Sequence, residues 1–556
     1  MNKFYKIVFA AIFLWGICAG AFAQIEHGGT PYSFKEKSVS TFTAVALPAM
    51  ENQRLLQEET AADDKQEGYP FGKEIAVDYR LDNSGTWEDL PDGGRLWRLG
   101  IESKGAYSIN LLFDRFYIPP ASHLFIYTAD KSFVLGSFTE KNNNRWGNFA
   151  TTLLPGDAIV LEFYEAAQDR NDAIIQLSTV VHGYKKILHQ KGTYGNASWC
   201  HVNINCEIGK PYQDVKRAVA FILNKGKSFC SGTLINNTAQ DTTPYFLTAS
   251  HCLQKKGDTF IRFDPSLFVF VFNYETTDCE GKNAAKTYSV SGASVVATDS
   301  ISDFALLLLN DRPPAECRPY YAGWSRKDTL YKGVVGIHHP SGDWKKISED
   351  KKKIASGQFV EDDPDIYPDN THHVVIWDTG STEGGSSGSG LFTRDGLIIG
   401  QLEGGYASCR YQNEADYYGK ISYSWTNNNR QDSNRLDYWL DPLGLGVETL
   451  KGMDVSGPAK VDDTTLKNTI VVYPNPANGQ LTIDCRDVIN HVSTVEIYDV
   501  VGQLMQKAPF NSPEGGKYSP PSEGLGEATI VLDISHLAAG LYFLKIDERV
   551  IKVIKQ

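Results

Sequence analysis

This chain of 556 residues contains three short motifs that supply a serine, a histidine and an aspartate. These are the residue types needed to activate a serine hydroxyl. Ser387 lies in Gly-Ser-Ser-Gly-Ser-Gly, His251 lies in Thr-Ala-Ser-His-Cys, and Asp303 opens Asp-Phe-Ala-Leu-Leu. A serine hydroxyl is a poor nucleophile at neutral pH, so it needs a base to take its proton and a carboxylate to orient that base. The three motifs therefore predict a catalytic triad in the order His, Asp, Ser.

The glycines around Ser387 suit this chemistry. They allow a tight turn that presents the hydroxyl and aims backbone N–H groups at a developing oxyanion. We assign those donors to the amides of Gly385 and Ser387.

Each motif also has a simpler interpretation when it is taken alone. A Gly/Ser-rich hexapeptide is typical of a loop, a histidine before a cysteine is usually structural, and an aspartate at a strand start is usually a turn residue. Three motifs in the right order for one domain favour the catalytic interpretation.

Residues 192–451 resemble the trypsin-like serine peptidases, and within them the bacterial lysyl endopeptidases most of all. The resemblance rests on the motifs Thr248–Cys252, Asp303–Leu307, Gly336–Gly342, Thr382–Ser389, Gly400–Gly405 and Trp439–Pro442. It implies two six-stranded antiparallel β-barrels with the triad between them, peptide bonds as substrate and no cofactor. Short Val/Ile/Tyr/Phe-rich runs separated by Gly, Asn and Asp agree with this mostly β fold.

The resemblance also implies where the substrate side chain is recognised. A cationic side chain needs a carboxylate at the bottom of its pocket. Ordinary trypsin-like enzymes carry it six residues before the serine, where this chain has Ser381. Lysyl endopeptidases carry it in an Asp-x-Tyr-Gly run, which points to Asp416 as the lysine-selecting residue. Glu383 and Glu414 are rivals for that role, and a surface turn is the structural alternative.

The Gly-Gly wall of the expected pocket is Gly404-Gly405, preceded by Glu403. Glu403 stands where the lysyl endopeptidases carry a histidine beside the triad. A carboxylate near His251 would favour the protonated imidazole and move the pH optimum upward, which is a hypothesis.

Cysteine usage indicates an oxidising compartment. Nine cysteines are present, and Cys18 lies in the leader. The resemblance implies the bridges Cys200–Cys409, Cys206–Cys279 and Cys230–Cys252, and it leaves Cys317 and Cys485 as buried thiols. No CxxC spacing occurs, and the pairs His338-His339 and His372-His373 suggest no metal because neighbours on a strand face opposite ways.

The N-terminus is typical of a signal peptide. Lys3 and Lys6 precede the apolar run Ile7–Ala19, and Ala21-Phe22-Ala23 fits a cleavage site after Ala23. No later stretch approaches the length needed to span a bilayer, so we expect no integral membrane segment. A net charge of -13 argues against a nucleic-acid partner.

Residues 24–191 are strand-rich and predict a β-sandwich, with strands at 107–113, 124–127 and 158–163. Their position suggests a pro-region that blocks the active site or assists folding, and a retained binding module is the alternative. Lys191-Gly192 precedes the first disulfide cysteine, so a lysine-specific enzyme could release itself there.

Residues 452–468 read as a linker, with 469–556 forming a further small domain. Strands are expected at 481–484, 495–498, 530–533, 541–545 and 550–555, with a long loop at 510–527. The motifs Tyr473–Pro476, Tyr498–Gly502, Gly540–Tyr542 and the basic terminal strand resemble the sorting domains of type IX secretion in Bacteroidota, which are Ig-like sandwiches. The resemblance implies the secretion machinery as partner and release or attachment at the surface of a Gram-negative cell. A substrate-binding accessory module is the alternative.

Together these features predict a secreted serine endopeptidase that cleaves protein and peptide substrates after lysine. Two alternatives stay open. One keeps the chemistry but prefers arginine, mixed basic residues or glutamate; the other is a surface adhesin with an inactive protease domain.

Overall fold

The structure is a computed structural model. It describes residues 23–24, 28–35, 41–61, 69–187, 197–254, 261, 263–281, 283–359, 368–426, 431–455, 470–473, 479–486, 494–498, 504–509, 518–519, 527–538, 540–546 and 549–555. The chain forms two compact units, Met1–Ser456 and Gly457–Gln556. Among the described residues, no helix has both the length and the apolar character needed to cross a membrane.

The N-terminal region of the first unit contains two sheets and two helices. Its helices are α1 (Tyr32–Lys35) and α2 (Asn52–Ala61). Its strands are β1 (Ala23–Gln24), β2 (Thr43–Ala46), β3 (Tyr69–Pro70), β4 (Gly72–Arg80), β5 (Thr86–Asp89), β6 (Arg95–Glu102), β7 (Ser108–Tyr117), β8 (His123–Thr128), β9 (Val134–Phe138), β10 (Phe149–Ala150), β11 (Leu154–Pro155), β12 (Ala158–Glu165) and β13 (Ile174–Gly183). The strands expected at 124–127 and 158–163 lie within β8 and β12, and the one expected at 107–113 overlaps β7, which begins one residue later, so all three are confirmed.

One hydrophobic core joins these two sheets. The five-stranded sheet runs β10-β7-β13-β4 with β11 on β7, and the six-stranded sheet runs β2-β6-β12-β8-β9 with β5 on β6. Side chains of both sheets meet in the core, among them Ile109 and Val180 from the first and Leu99 and Leu161 from the second. The region is therefore a two-layer β structure.

The next part of the chain forms a ring of six strands. Its segments are β15 (Val219–Asn224), β16 (Lys227–Leu234), β17 (Tyr245–Ala249), β18 (Val269–Phe272), β19 (Tyr288–Ser291), β20 (Ala293–Asp299) and β21 (Phe304–Leu309). The short strand β14 (Val202–Asn203) precedes them and belongs to a different sheet. Hydrogen-bonded neighbours run β19-β18-β15-β16-β17-β21-β20. Only Gly292 separates β19 from β20, so these two are one strand bent at a glycine with φ +76°. The bend closes the sheet into the first barrel.

Strands β15 and β18 are buried on both faces, which explains their unbroken apolar sequence. Ile222 and Phe270 point into the barrel core, whereas their neighbours Phe221 and Val271 point outward. The outward side chains pack against the N-terminal region through Phe71 and other apolar residues. Strand β3 also pairs with β16. Because successive strand residues face opposite ways, both faces must be covered for such a run to stay buried.

A second ring of six strands follows. The remaining elements of the unit are β22 (Tyr320–Tyr321), β23 (Trp324–Ser325), β24 (Lys332–His338), β25 (Lys346–Lys353), β26 (Ala355–Gly357), β27 (His372–Val375), β28 (Gly390–Thr393), β29 (Ile398–Gly405), β30 (Asp416–Lys420), α3 (Ile421–Thr426), α4 (Asp437–Leu440), β31 (Thr449–Leu450) and β32 (Met453–Asp454). The order is β25-β24-β28-β29-β30-β27-β26, and β26 continues β25 after Ile354. The expected double barrel is thus present.

The second unit contains two four-stranded sheets. Its strands are β33 (Ile470–Tyr473), β34 (Gln480–Arg486), β35 (Thr494–Tyr498), β36 (Leu504–Pro509), β37 (Tyr518–Ser519), β38 (Glu527–Asp533), β39 (Gly540–Ile546) and β40 (Arg549–Lys555). One sheet runs β33-β34-β38-β37 and the other β36-β35-β39-β40. The five strands expected here are confirmed.

Two sequence expectations about connections need correction. A linker was expected from residue 452, but Met453–Asp454 forms β32 and pairs with β22. The long loop expected at 510–527 contains β37, which pairs with β38. Strand β22 lies far from β32 in the sequence, so no local pattern indicates that pairing. Residues 456–469 lie outside the described residues.

Candidate active site

His251 lies in the turn that follows strand β17. The strand ends at Ala249, and the turn Ser250–Cys252 carries the histidine, whose side chain is 25% exposed. A disulfide joins Cys252 to Cys230 on β16. The apolar strand and the bridge together fix the backbone on either side of the imidazole.

Asp303 binds the His251 residue twice. Its Oδ1 accepts the backbone amide of His251 at 2.9 Å, and its Oδ2 lies 2.7 Å from the ring Nδ1. Asp303 has φ +51°, a left-handed conformation that aspartate tolerates better than most residues. Since a carboxylate beside Nδ1 holds the ring proton there, Nε2 is the nitrogen left to accept a proton.

Burial raises the pKa of the Asp303 carboxyl above its ordinary value, and the nearby Glu403 charge adds to the increase. The charge and hydrogen bonds of His251 act in the opposite direction. The carboxylate is therefore stabilised chiefly by the histidine it orients.

The loop that carries Ser387 is fastened to the first barrel by Ser231. The Ser231 amide donates to the carbonyl of Ser387 at 2.8 Å, and its hydroxyl donates to the carbonyl of Gly385 at 2.9 Å. Gly385 has φ +92° and Gly388 has φ +76°, both in the region that favours glycine. The sequence therefore needs glycine at these two positions of the turn.

Gly388 also brings Ser387 close to the segment that leads into His251. A Cβ at this glycine would lie 2.6 Å from the carbonyl oxygen of Ser231 and 2.7 Å from the amide nitrogen of Ala249. The serine loop thus packs directly against the end of β17. The structure in this way gathers the serine, histidine and aspartate motifs at one junction between the barrels.

The donors expected for an oxyanion are free. Within the described part of the chain, no acceptor takes the amide of Gly385 or of Ser387, and the Ser387 hydroxyl has no hydrogen-bond partner. Their carbonyls, by contrast, are both bonded to Ser231. Two unpaired N–H groups beside a serine are what a developing negative charge requires.

Asp416 is fully buried at the start of β30. Its Oδ2 accepts hydrogen bonds from the indole Nε1 of Trp377 at 2.6 Å and from the hydroxyl of Thr382 at 2.8 Å. Its Oδ1 has no hydrogen-bond partner among the described residues. Burial raises the pKa of this carboxyl to about 7, although the two donors and the Ala407 backbone lower it in part.

Gly405 lies beside Asp416 in the adjacent strand. A Cβ on this glycine would collide with Oδ1 of Asp416, so only glycine leaves room for that buried oxygen. Gly404 faces the Phe359 ring, 3.6 Å from the position of a Cβ. The Gly-Gly wall expected from the sequence therefore flanks the carboxylate.

The two rivals of Asp416 have different surroundings. Glu383 accepts from the hydroxyl of Ser341 at 2.9 Å and from the amide of Ser198 at 3.3 Å, and lies 3.4 Å from His201. Burial alone would raise the pKa of Glu383, but these partners lower it to about 2. Glu414 is exposed.

Glu403 contacts His372, and the two side chains are both buried. Its Oε2 lies 2.6 Å from the Nε2 atom of His372 on β27. Sequence reasoning expected Glu403 beside the triad, and its influence on the Asp303 pKa agrees with that position. It missed the partner because β27 and β29 are brought together only through β30.

His338 and His339 are buried and make internal hydrogen bonds. His338 contacts the hydroxyl of Ser386 at 2.7 Å, and His339 contacts the carbonyl of Asp343 at 3.0 Å. Burial lowers the pKa of both rings well below the ordinary value. The neutral His338 ring therefore supports the serine loop through Ser386, and the neutral His339 ring supports the neighbouring turn at Asp343.

The three expected disulfides are present, joining Cys200 to Cys409, Cys206 to Cys279 and Cys230 to Cys252. Two groups of histidine with two cysteines lie close enough to resemble metal sites, but both cysteines of each are in a disulfide. Cys317 is a buried free thiol, as expected. Lys191 and Gly192 lie outside the described residues, and so does the side chain of Cys485.

Trp377 and Thr382 are the residues that sequence reasoning missed. Thr382 stands in the serine motif, but nothing there indicates a contact with Asp416. Trp377 is 39 residues before Asp416 in the chain. An isolated tryptophan at such a distance carries no signal of its partner.

Comparison with known proteins gives matches over both units. Residues 194–419 match the family described as "Lysyl endopeptidase, C-terminal domain", and residues 471–556 match "Secretion system C-terminal sorting domain". A lysyl endopeptidase of Pseudomonas aeruginosa strain PAO1 is 28% identical over 381 residues, which are 65% of this chain and 75% of that protein.

Solved structures give more distant similarities. The MamO protease domain from Magnetospirillum magneticum is 14% identical, covers 38% of this chain and 95% of its own, and has a TM-score of 0.26. A Glu endopeptidase is 17% identical, with 37% and 85% of the two chains covered and a TM-score of 0.24.

Proposed function

We propose that this serine endopeptidase, whose domain is similar to the lysyl endopeptidases, hydrolyses peptide bonds on the carboxyl side of lysine through an acyl-enzyme. Ser387 attacks the carbonyl carbon, and His251 takes the hydroxyl proton and returns it to the leaving amine. Asp303 orients His251, while the amides of Gly385 and Ser387 stabilise the oxyanion. The reaction needs no cofactor.

The contacts of Asp303 support the assignment of the base. Both carboxylate oxygens are engaged by His251, one through the backbone and one through Nδ1. An imidazole held in this way presents an unprotonated Nε2, which is the state that a general base needs. The unpaired amides beside Ser387 support the oxyanion assignment in the same manner.

The observation that carries lysine selection is the free Oδ1 of Asp416. A fully buried carboxylate oxygen without a partner is costly, and an ammonium group of the substrate would satisfy it. A glutamate side chain would instead bring a second negative charge to the same place. The carboxylate therefore favours a cationic residue before the cleaved bond.

Digestion of a denatured protein mixture, with cleavage sites read by mass spectrometry, tests this specificity. We expect cleavage after lysine, and Asp416→Asn should reduce cleavage after lysine far more than hydrolysis of a neutral ester. Equal losses on both substrates would reject Asp416, and cleavage after arginine or glutamate would change the assigned substrate.

Labelling with a phosphonofluoridate separates an enzyme from an inactive adhesin. Only an activated serine reacts, so peptide mapping should find the label on Ser387 and none in Ser387→Ala. An unlabelled parent protein would favour the adhesin.

We further propose that residues 24–191 are a pro-region that is removed by cleavage after Lys191. The outward side chains of β15 and β18, such as Phe221 and Val271, pack on this region, which supports a role in folding. A partner present during folding would keep those apolar strands covered while distant strands pair. N-terminal sequencing of the active form tests the proposal; a start near Gln24 would instead indicate a retained binding module.

Residues 469–556 carry the sorting function in this proposal. The match to the secretion-system sorting domain supports export by the type IX machinery. Removal of the residues after Asn468 should trap the protein in the periplasm. Unchanged activity at the cell surface would contradict the sorting role and favour an accessory module.

A further inference from the structure

The two oxygens of the Asp416 carboxylate have different surroundings. Oδ2 receives two hydrogen bonds, from Trp377 and from Thr382, which together occupy both of its in-plane lone pairs. Oδ1 receives no well-aligned hydrogen bond from the described residues, although the Ala407 backbone helps to lower the pKa of this carboxyl. Of the two oxygens, Oδ1 is therefore the one with acceptor capacity left for a substrate group.

The surroundings of Asp416 keep this asymmetry in place. Strand β30 is paired with β27 on one side and with β29 on the other, so the aspartate backbone is fixed. The Trp377 ring packs edge-on against Tyr418 and lies 3.0 Å from the position of a Cβ on Gly336. Trp377 and Thr382 are themselves buried. The Trp377 ring cannot move aside without breaking this packing.

The two basic side chains make different demands on a carboxylate. An ammonium group is a compact charge that one oxygen can satisfy. A guanidinium group is planar, and its strongest contact with a carboxylate uses two parallel N–H bonds, one to each oxygen. That second bond is open only if Oδ2 gives up Trp377 or Thr382, which would leave a buried donor unpaired.

We propose that Trp377 and Thr382 select lysine over arginine by reserving Oδ2 of Asp416, so that the pocket presents a single acceptor to the substrate. They are positioning residues, since they act through Asp416. This inference rests on the proposed function, because it assumes that Asp416 receives the substrate side chain.

Thr382→Val tests the proposal with little change in side-chain volume. The substitution removes the hydroxyl donor and opens one lone pair of Oδ2 to a guanidinium. We expect the ratio of kcat/KM for lysine over arginine, on amide substrates that differ only in this residue, to fall about tenfold. This ratio should fall because kcat/KM on the arginine substrate rises relative to kcat/KM on the lysine substrate.

Thr382→Ser is the matched control because it keeps a hydroxyl at the same position. Its lysine-to-arginine ratio should stay within about twofold of the parent value. Concentrations are set by active-site titration, and the ratio cancels losses that both substrates share. If serine shifts the ratio as much as valine, the hydroxyl is not the cause and the proposal is overturned.

Trp377→Phe gives a second reading that does not depend on the folding of the valine variant. It removes the indole N–H and should shift the ratio toward arginine. Parental ratios in whichever of the two variants folds would overturn the inference.

Asp416→Asn is measured in the same assay. It separates the proposed role of Asp416 in lysine recognition from the proposed role of Trp377 and Thr382 in selecting lysine over arginine. If Asp416→Asn loses the preference for lysine while the Thr382 and Trp377 variants keep the parental lysine-to-arginine ratio, the inference is wrong and the proposed function stands. Undiminished lysine cleavage by Asp416→Asn would reject the proposed function itself.

Discussion

Asp303 and His251 are joined by two hydrogen bonds at once, one from the backbone amide at 2.9 Å and one at Nδ1 at 2.7 Å. One bond fixes where the histidine backbone lies, and the other fixes which ring nitrogen carries the proton. Position and tautomer are therefore set by a single carboxylate.

Asp303→Asn separates these two roles. An asparagine can still accept the backbone amide, but its NH2 group would face Nδ1 and move the ring proton to Nε2. The base would then be unable to accept the Ser387 proton, and we expect kcat to fall by about 10⁴-fold, as for the equivalent change in other Ser-His-Asp enzymes. Initial rates on a lysine amide, with Ser387→Ala as the background, measure this. A loss below tenfold would contradict the assigned role.

The pKa of Asp416, about 7, predicts a pH dependence that belongs to the pocket and not to the triad. Only the ionised carboxylate attracts an ammonium, so kcat/KM on lysine substrates should decrease as pH falls below about 7. A neutral ester shares the triad but not the ion pair. The ratio of the two kcat/KM values between about pH 5 and 9 isolates the pocket. A ratio that does not vary with pH would refute the assignment.

Asp416 should also cost stability at high pH. Its folded pKa of about 7 lies above the ordinary value of 3.8, so its favourable contribution is complete below 3.8 and is lost as pH rises through about 7. At pH 8, Asp416→Asn removes a buried charge and should raise the free energy of unfolding by on the order of 2–4 kcal/mol.

Thermal midpoints of that variant at pH 8 and at pH 5, both in a Ser387→Ala background to prevent autolysis, check the sign. The gain should shrink at pH 5, where the folded parent carries a protonated carboxyl. A gain that is larger at pH 5 than at pH 8 would show that the charge is not its origin.

The triad motifs could be read from the sequence because their signals are local, whereas the double barrel followed from the family resemblance. The strand before His251, the strand after Asp303 and the glycines around Ser387 each lie within a few residues of the group they position. The bridges followed from resemblance, since cysteine spacing alone does not determine which cysteines pair.

What the sequence could not reveal are contacts between distant segments. Trp377 reaches Asp416 across 39 residues, and Ser231 binds the Gly385 carbonyl across 154. The contact that covers the outer face of β15 could not be predicted either. The unbroken apolar run of β15 indicates a strand buried on both faces, but it does not indicate which segment covers the outer face. Such pairings exist only once the barrels and the N-terminal region have formed.

The Cys230–Cys252 bridge should stabilise both the fold and the site. It closes a segment with a sequence separation of 22, for which the chain-entropy model gives about 3 kcal/mol. Replacing both cysteines with alanine should lower the denaturation midpoint by a corresponding amount and reduce kcat, because the bridge anchors the residue next to His251. The double alanine variant of Cys206 and Cys279 is the control. It should lose stability with a smaller effect on kcat. Equal kcat losses in the two variants would contradict a local role of the Cys230–Cys252 bridge at His251.

Glu403 should set part of the acidic limb of the rate profile. Its carboxylate contacts His372 and raises the pKa of Asp303, which places its charge within electrostatic reach of the Asp303–His251 pair. A negative charge there favours the protonated imidazole, so Glu403→Gln should move the acidic limb of kcat/KM to lower pH by roughly half a unit.

The profile must be recorded on a neutral ester, because a lysine substrate would add the titration of Asp416. Glu414→Gln, at an exposed position in the same domain, should leave the profile unchanged. Superimposable profiles for the parent and Glu403→Gln would mean that His372 compensates the carboxylate fully and that Glu403 has no part in tuning the base.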